Sequence, residues 1–124
     1  MGERVIINEY CNLDGREGII IRDDTSISVF SYIDIGQHLV NSSDFEYSTQ
    51  KVLIADHVWI CTKANVLGEV NLLWGCIICV GSTVKKGIYD RLGIYSGVPS
   101  IKIGERKEHV IEYNLSVWKP FFGC

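Results

Sequence analysis

The sequence has no long apolar run, so it offers no candidate for a membrane-spanning helix. No stretch approaches the roughly 18 consecutive apolar residues that such a helix needs. The first ten residues, MGERVIINEY, contain a three-residue apolar run where a secretion signal would carry a longer apolar core. We therefore expect a soluble, cytoplasmic chain that folds as one domain of 124 residues.

A concentrated basic surface is also missing. Twelve Lys and Arg are scattered along the chain against fifteen Asp and Glu, and the formal net charge is −3. Nucleic-acid binding needs cations clustered on one face, so we expect no partner of that class. A hydrophobic content of 47% argues equally against a disordered chain.

The sequence lacks the residue pattern of a disulfide framework or a metal site. Five Cys are an odd number in a chain without a secretion signal, so reduced thiols are expected. Cys76 and Cys79 form one CxxC with no second CxxC and no His pair nearby, and we predict a structural role for them. His38, His57 and His109 are not spaced like converging zinc ligands, so no metal is expected.

What the sequence does contain is an aliphatic residue at every sixth position. Large aliphatic residues keep this spacing without a break at Ile54, Ile60, Val66, Leu72, Ile78 and Val84. Four positions after each comes a second series, Val58, Ala64, Val70, Cys76, Ser82 and Ile88. A helix repeats at 3.6 residues and a strand at 2, so neither element accounts for this period. Hexapeptide periods are typical of parallel β-helices.

We interpret each six-residue unit as one short strand plus a corner, so that three units form one triangular coil. Residues eighteen apart, such as Ile54 and Leu72, then stack in one column with inward side chains. Backbone groups pair with the coils above and below. The predicted fold is a single all-β domain, a parallel β-helix with first coils in 1–33, main coils in 54–89 and a C-terminal segment in 90–124.

One long segment interrupts the repeat. It spans residues 34–53, DIGQHLVNSSDFEYSTQKVL, and carries no six-residue pattern. Loops of that length are uncommon in compact domains and are usually functional or disordered. Because coils flank it on both sides, we predict an excursion loop that leaves the prism and returns to it.

Several motifs occur in an order that resembles one protein family. They are NLDGREGIII, GQH with NSSDF, IADHVWI, VGSTVKK, GVPS with IGER, and the closing PFFG. Together they resemble the hexapeptide-repeat acyltransferases, in particular the galactoside and maltose O-acetyltransferases and the capsule or exopolysaccharide O-acetyltransferases. The resemblance implies a left-handed β-helix, a homotrimer and acetyl-coenzyme A as cosubstrate. It also implies that relatives carry N-terminal coils that this sequence lacks.

The resemblance assigns site residues by motif position. His38 in the excursion loop would be the general base, since an unperturbed imidazole titrates near pH 6.5 and its neutral form can take an alcohol proton. The coenzyme would lie in a groove between two subunits. The residues that would line this groove are Trp59, Thr62, Val80, Gly81, Ser82, Lys85 and Lys86, with the lysines near the phosphates. Asn12 and Asp14 would face the acceptor.

The expected reaction is acetyl transfer to a hydroxyl of a sugar or polysaccharide precursor. Two alternatives stay open. One is an N-acetyltransferase of an amino sugar or a drug, because nothing in the sequence separates these acceptors. The other is a non-catalytic trimeric family member, which Cys61 and Val80 favour because they replace smaller residues expected at corners. The presence of His38 favours an active enzyme.

Overall fold

The computed structural model describes residues 1–15 and 18–115, which form short strands and a 3₁₀ helix at Glu108–Val110. The strands, in chain order, are β1 (Ile6–Ile7), β2 (Asn12–Asp14), β3 (Ile19–Ile21), β4 (Ser26–Ile27), β5 (Tyr32–Asp34), β6 (Gly36–His38), β7 (Tyr47–Thr49), β8 (Val52–Ile54), β9 (Trp59–Ile60), β10 (Asn65–Leu67), β11 (Val70–Leu72), β12 (Ile77–Ile78), β13 (Thr83–Val84), β14 (Gly87–Tyr89), β15 (Gly93–Gly97) and β16 (Ser100–Glu105). No helix in these ranges is long and apolar enough to cross a membrane.

The strands build the three faces of a prism, named here faces A, B and C. Face A contains β1, β4, β9, β12 and β15, face B contains β2, β5, β10 and β13, and face C contains β3, β8, β11 and β14. Neighbouring strands within each of these faces are parallel. The chain passes from A to B to C and then rises to the next coil. The predicted parallel β-helix is therefore confirmed.

Residues eighteen apart stack in columns, as the repeat predicts. Ile54 pairs with Leu72 on face C, and Ile60 pairs with Ile78 on face A. All four side chains are at most 1% exposed. Burying one such side chain contributes about 1.5–3 kcal/mol, so these columns are the main source of stability in the prism.

The second series of the repeat is buried except at its last position. The buried members are Val58, Ala64, Val70, Cys76 and Ser82. Ile88 is 67% exposed and so departs from the other members of the series. Val84 pairs with Val66 and Gly87 pairs with Val70, so two residues separate these paired positions where three separate them in the coil below, and Ile88 pairs with Asn71. Because side chains alternate along a strand, this shift turns Ile88 outward.

The predicted excursion is an antiparallel hairpin of β6 and β7. It leaves after β5 ends at Asp34 and returns where β8 begins at Val52, so residues 35–51 lie outside the three faces. Ile35 is 1% exposed and belongs to the prism core, and its carbonyl accepts from Gln50 N–H at 2.8 Å. The hairpin is therefore attached to the prism through a buried base.

The prism edges are named after the faces they join, as edges AB, BC and CA. The hairpin leaves from edge BC, between β5 and β8. Corners on edges AB and CA include non-glycine residues in the left-handed region, for example Asp24 at φ 55°, His57 at φ 58° and Lys63 at φ 59°. Stacked corners bond to one another, as His57 N–H does to Asp23 O at 3.0 Å. These bonds offset the strain of the left-handed residues.

The chain after β15 reverses direction. β16 runs antiparallel to β15, and residues 106–115 then lie against edge CA. Arg106 Nη1 donates to the His57 carbonyl at 3.2 Å, and His57 Nε2 donates to the Tyr113 carbonyl at 2.8 Å. Residues 116–124 of the predicted C-terminal segment lie outside the described residues.

Asp24 ties the two ends of the described chain together. Its carboxylate is 4% exposed, accepts Leu115 N–H at 2.9 Å, and receives Arg4 Nε at 2.8 Å and Nη2 at 3.1 Å. The hydrogen bonds from Arg4 are the largest cause that lowers the pKa of Asp24. The buried charge is therefore fully paired.

Candidate active site

The His38 ring in the hairpin is held by contacts on several sides. Its Nδ1 lies 2.8 Å from the carbonyl oxygen of Phe45. Because a carbonyl can only accept, Nδ1 donates the proton, and Nε2 of the neutral ring keeps a free lone pair. The ring stacks on the Phe45 ring at 3.6 Å between centroids, and the Tyr47 ring meets it edge-on at 5.1 Å. This arrangement presents Nε2 as the basic atom.

Side-chain hydrogen bonds hold both ends of the hairpin. At the base, Asp34 Oδ1 accepts from Gly36 N–H at 2.9 Å. At the tip, the Ser42 hydroxyl oxygen accepts from the N–H groups of Asp44 at 3.3 Å and Glu46 at 3.2 Å. Short polar side chains commonly stabilise turns in this way. The polar NSSD stretch therefore has a structural purpose that keeps Phe45 and His38 in place.

Gly36 gives Tyr47 the space it occupies beside His38. A Cβ atom at position 36 would collide with the Tyr47 hydroxyl. Tyr47 is the strand partner of His38 in the hairpin. Phe45 and Tyr47 are site residues that the sequence analysis missed. Their signal in the sequence is their position in the same interruption as His38, but only the hairpin register brings them to its ring.

Lys85 and Lys86 lie at the base of the same hairpin, on edge BC. They line a cavity of about 650 Å³ together with Asp34, Ile35, Gly36, Gln50, Leu67 and Gly68. Lys86 Nζ pairs with Glu69 at 3.0 Å, whereas Lys85 has no ion-pair partner among the described residues. The Tyr89 hydroxyl accepts from the Lys85 N–H at 3.0 Å and donates to the Lys85 carbonyl at 2.7 Å, so it fixes the Lys85 backbone. Lys85 is the cation in this cavity that is free to meet an anion.

The other predicted coenzyme residues lie near edge AB. Gly81 N–H donates to the Thr62 carbonyl at 3.0 Å, so these two corners stack directly, and Val80 beside them is 67% exposed. Trp59 points outward from face A, 44% exposed, and its indole N–H donates to the Ser28 hydroxyl at 3.3 Å. The predicted set is therefore divided between two edges of one prism.

Ser82 has its polar groups committed inside the prism. It is 1% exposed, its N–H donates to Cys79 O at 3.1 Å, and its carbonyl accepts from Asn65 N–H at 2.8 Å. Its hydroxyl oxygen accepts from Gly97 N–H at 3.0 Å. The geometry gives Ser82 a structural role inside the prism.

Asn12 and Asp14 are on β2 at the lower end of face B. Their strand partners in the next coil are Tyr32 and Asp34. The Tyr32 hydroxyl donates to Asp34 Oδ2 at 3.2 Å, and the charge of Asp34 raises the pKa of Tyr32. Asp34 also holds the hairpin base, so it links this face to the His38 hairpin. Sequence reasoning missed Asp34, although it is the first residue of the interruption.

No metal-binding group is seen in the described part of the chain: residues 1–15 and 18–115 contain no arrangement of three or more His, Cys, Asp or Glu able to hold an ion. The three His lie apart, with His38 on the hairpin, His57 on edge CA and His109 in the 3₁₀ helix. Burial raises the pKa of the Cys61 thiol to about 11 and that of Cys76 to about 12. Both remain protonated near neutral pH and are poor nucleophiles.

Comparison with known proteins gives different results for sequence and for structure. No protein-family model matches the chain. A search of curated proteins finds no significant match. Solved structures do match. A hexapeptide-repeat acetyltransferase from Vibrio cholerae O1 biovar eltor, in complex with acetyl-coenzyme A, superposes with a TM-score of 0.81 at 18% identity, over 86% of this chain and 60% of that one.

Two further neighbours are also acyltransferases. A variant of AntD, an N-acyltransferase from Bacillus cereus in complex with dTDP and coenzyme A, gives a TM-score of 0.79 at 26% identity, over 87% of this chain and 63% of that one. A maltose O-acetyltransferase from Clostridium difficile 630 gives a TM-score of 0.73 at 18% identity, over 87% of this chain and 70% of that one. The chain thus spans less than two thirds of the first two neighbours.

These neighbours define the class of fold. The chain has the left-handed parallel β-helix of the hexapeptide-repeat acyltransferases, which confirms the resemblance drawn from the motifs at the level of fold. The left-handed winding of the coils agrees with the resemblance and differs from the right-handed crossover that other parallel sheets prefer.

Proposed function

We propose that the protein is an acetyl-coenzyme A-dependent acetyltransferase whose acceptor is a hydroxyl of a sugar or polysaccharide precursor. The observation that carries the proposal is the bond from His38 Nδ1–H to the Phe45 carbonyl at 2.8 Å, which leaves Nε2 as the base. A fixed tautomer on a hairpin attached to a rigid prism is what general-base catalysis needs. The coenzyme-bound neighbours support the choice of donor.

His38 would act in both halves of the transfer. Nε2 takes the proton of the acceptor hydroxyl while that oxygen attacks the thioester carbonyl. The carbon–sulfur bond then breaks, the new ester forms, and His38 returns the proton to the departing sulfur. Base assistance of this kind contributes about a hundred- to ten-thousandfold.

We further propose that the active unit is a homotrimer with each site between two copies. The hairpin, Lys85 and Lys86 lie on edge BC, whereas Thr62, Val80 and Gly81 lie on edge AB. A groove lined by both sets forms when edge BC of one copy approaches edge AB of the next. Lys85 would then meet the coenzyme phosphates, and Trp59 would lie near the junction.

The outward side chains of the three faces support that arrangement. Face C presents the column Ile20, Leu53, Asn71 and Ile88, and face A presents Ile6, Ser26, Trp59, Ile77 and Ile94. Face B is more polar and presents Asn12, Tyr32, Asn65 and Thr83. Packing face A against face C of the next copy would bury the apolar columns and leave face B in water. The Asn12 and Asp14 side of face B would then be open to the acceptor.

An amino sugar is the second candidate acceptor. The carboxylates of Asp14 and Asp34 are strand partners on face B beside the hairpin, and a pair of acidic groups favours an ammonium group. The AntD neighbour, an N-acyltransferase solved with dTDP, points the same way. His38 would then deprotonate the ammonium group or the amine during attack.

The test is an acetyl-transfer screen with purified protein and acetyl-coenzyme A. Release of the coenzyme thiol is followed over a panel of sugars, amino sugars and their nucleotide derivatives, with His38→Ala as the control. Activity on hydroxyl acceptors supports the first candidate, and activity confined to amines supports the second. Binding is tested separately by melting, because coenzyme at a hundred times its Kd adds about 2.7 kcal/mol of stability. Stabilisation without turnover on any acceptor would favour the non-catalytic alternative.

A further inference from the structure

Phe45 contacts His38 in two ways at once. Its carbonyl oxygen accepts the Nδ1 proton at 2.8 Å, and its ring stacks on the imidazole with centroids 3.6 Å apart and planes 17° apart. Phe45 itself has a left-handed φ of 53° and a side chain that is 69% exposed. An exposed phenyl ring in a strained backbone position gains little from burial. The stack on the His38 imidazole is the contact that this ring supplies.

The electrostatics of this stack depend on the charge of the imidazole. The face of a phenyl ring carries negative electrostatic potential and attracts a cation placed over it. A neutral imidazole gains mainly dispersion from the stack, whereas an imidazolium gains a cation–π attraction as well. His38 becomes an imidazolium when it takes the acceptor proton. The ring is therefore placed where positive charge develops during the reaction.

We propose that the Phe45 ring is a positioning residue that stabilises the protonated form of His38 and so strengthens it as a base. Its catalytic part rests on the proposed function, but the effect on protonation does not. The carbonyl of Phe45 fixes which nitrogen is basic, and the ring of the same residue raises the basicity of that nitrogen. One residue thus sets both the tautomer and the strength of the base.

Other titratable groups near the ring need separate control. Tyr47 contacts His38 edge-on, and Asp44 and Glu46 flank Phe45 in the same hairpin. Within the described ranges no ion pair joins His38 to either carboxylate. A long-range effect of these charges is screened by salt, whereas a ring stacked at contact distance is not.

The first experiment measures protonation directly and needs no substrate. The His38 ring signal is followed by NMR from pH 4 to 9, and it is assigned by its absence in His38→Ala. In Phe45→Leu we expect the titration midpoint to fall by about half a pH unit, because an exposed cation–π contact of ordinary strength is lost. Phe45→Tyr, which keeps an aromatic face, should restore the midpoint. Asp44→Asn and Glu46→Gln control for the carboxylates.

A ring-fluorinated phenylalanine at position 45 separates electrostatics from shape. Fluorination removes the negative face of the ring while its size and backbone stay nearly the same. The midpoint should fall again, in proportion to the degree of fluorination. An unchanged midpoint in both Phe45→Leu and the fluorinated protein would overturn the proposal, whatever the outcome of the acetyl-transfer screen.

On an acceptor that the protein acetylates, the same variants supply a kinetic readout. Phe45→Leu should lower kcat by about two- to fivefold at the alkaline plateau, and the difference should narrow at acid pH, where the weaker base remains neutral. A purely structural ring would instead lower the rate by the same factor at every pH. That pattern would overturn the catalytic part of the proposal even if the NMR midpoint moved.

Discussion

At the residue scale, the candidate chemistry depends on how the two nitrogens of His38 differ. Nδ1 donates to the Phe45 carbonyl at 2.8 Å, while Nε2 has no protein partner among the described residues. The sequence names His38 as a base but does not distinguish its nitrogens. The hairpin does so, because it returns the Phe45 carbonyl seven residues later to the same point.

His38→Ala should lower kcat by at least about a hundredfold, because the variant has no group to accept the acceptor proton. Coenzyme affinity should change little, since the predicted coenzyme contacts lie elsewhere. Steady-state kinetics and calorimetric coenzyme titration check the two statements. His109→Ala, in the exposed 3₁₀ helix, is the control. Wild-type turnover in His38→Ala would remove His38 from the mechanism.

The thiols of Cys76 and Cys79 should affect stability and leave catalysis unchanged. The double variant Cys76→Ala with Cys79→Ala should keep acetyl-transfer activity and lose about 1–2 kcal/mol of unfolding free energy, because Cys76 is fully buried. We expect the folded double variant to have the same specific activity as the wild-type protein. Loss of activity in a well-folded double variant would give these thiols a catalytic part.

Alkaline pH should destabilise the protein through the Cys76 thiol. The pKa of Cys76 is raised by burial from 9.0 to about 12, so the folded state holds the proton more tightly than the unfolded state. The stabilisation is complete below pH 9.0 and is lost as the pH rises toward the folded value. Urea unfolding at pH 8 and pH 10 tests this. Cys76→Ala should show a smaller loss over the same interval.

At the element scale, the hairpin of β6 and β7 positions the His38 side chain, and the prism holds the hairpin in position. The buried Ile35 and the bond from Gly36 N–H to Asp34 anchor the hairpin base. A functional group on a short hairpin needs such support, since an isolated two-stranded ribbon is at best marginally stable.

Gly36→Ala should impair the site more than the fold. The added Cβ would displace Tyr47 from its place beside His38. We expect a drop in kcat of about tenfold or more with the melting temperature nearly unchanged, because the hairpin lies outside the prism core. Gly104→Ala is the matched control, since its Cβ would make ordinary contact 3.9 Å from Ile94. Equal effects of the two substitutions would contradict this view of Gly36.

The bonds that join Asp24 to Arg4 and Leu115 on edge CA belong to the same scale. Asp24→Asn should cost about 1–3 kcal/mol, because a buried carboxylate paired with Arg4 is replaced by a neutral amide. Since the pairing lowers the pKa of Asp24, its stabilisation is present above the ordinary value of 3.8 and is lost as the pH falls through the folded value. Hydrogen exchange of residues 106–115 and urea unfolding measure the effect. Asp44→Asn, on the exposed hairpin, should be neutral.

At the scale of the whole molecule, the unequal outward faces of the prism predict how copies assemble. Leu53 on face C is 39% exposed and Ile88, two coils away in the same column, is 67% exposed, whereas the corresponding column of face B is polar. Apolar columns of this kind are typical of protein contact surfaces. A trimer joined through faces A and C uses them and places edges AB and BC side by side.

Leu53→Glu should convert the proposed trimer to monomers and abolish transfer, because it introduces a charge into the proposed contact of face C. Thr83→Glu, at an outward strand position on face B, should leave the trimer intact. Sedimentation equilibrium at micromolar concentration distinguishes the two. A stable wild-type monomer that is fully active would contradict both the trimer and the shared site.

The sequence alone determined the prism, because burial in stacked coils requires the same residue type every six positions. The columns Ile54–Leu72 and Ile60–Ile78 are readable without coordinates. The period also located the excursion that carries His38, since any segment without it cannot pack in a coil. Periodicity is a local property of the chain, and a repeat fold is determined by local properties.

Only the tertiary structure decided where the period fails and which residues meet. One residue fewer between the paired positions before β14 turned Ile88 outward, and this change leaves the six-residue repeat in the sequence unbroken. The pairing of His38 with Phe45, and the separation of Lys85 from Thr62 onto different edges, depend on hairpin register and coil winding. The six-residue period does not predict these arrangements. The physical reason is that backbone geometry determines them, and residue type does not specify that geometry.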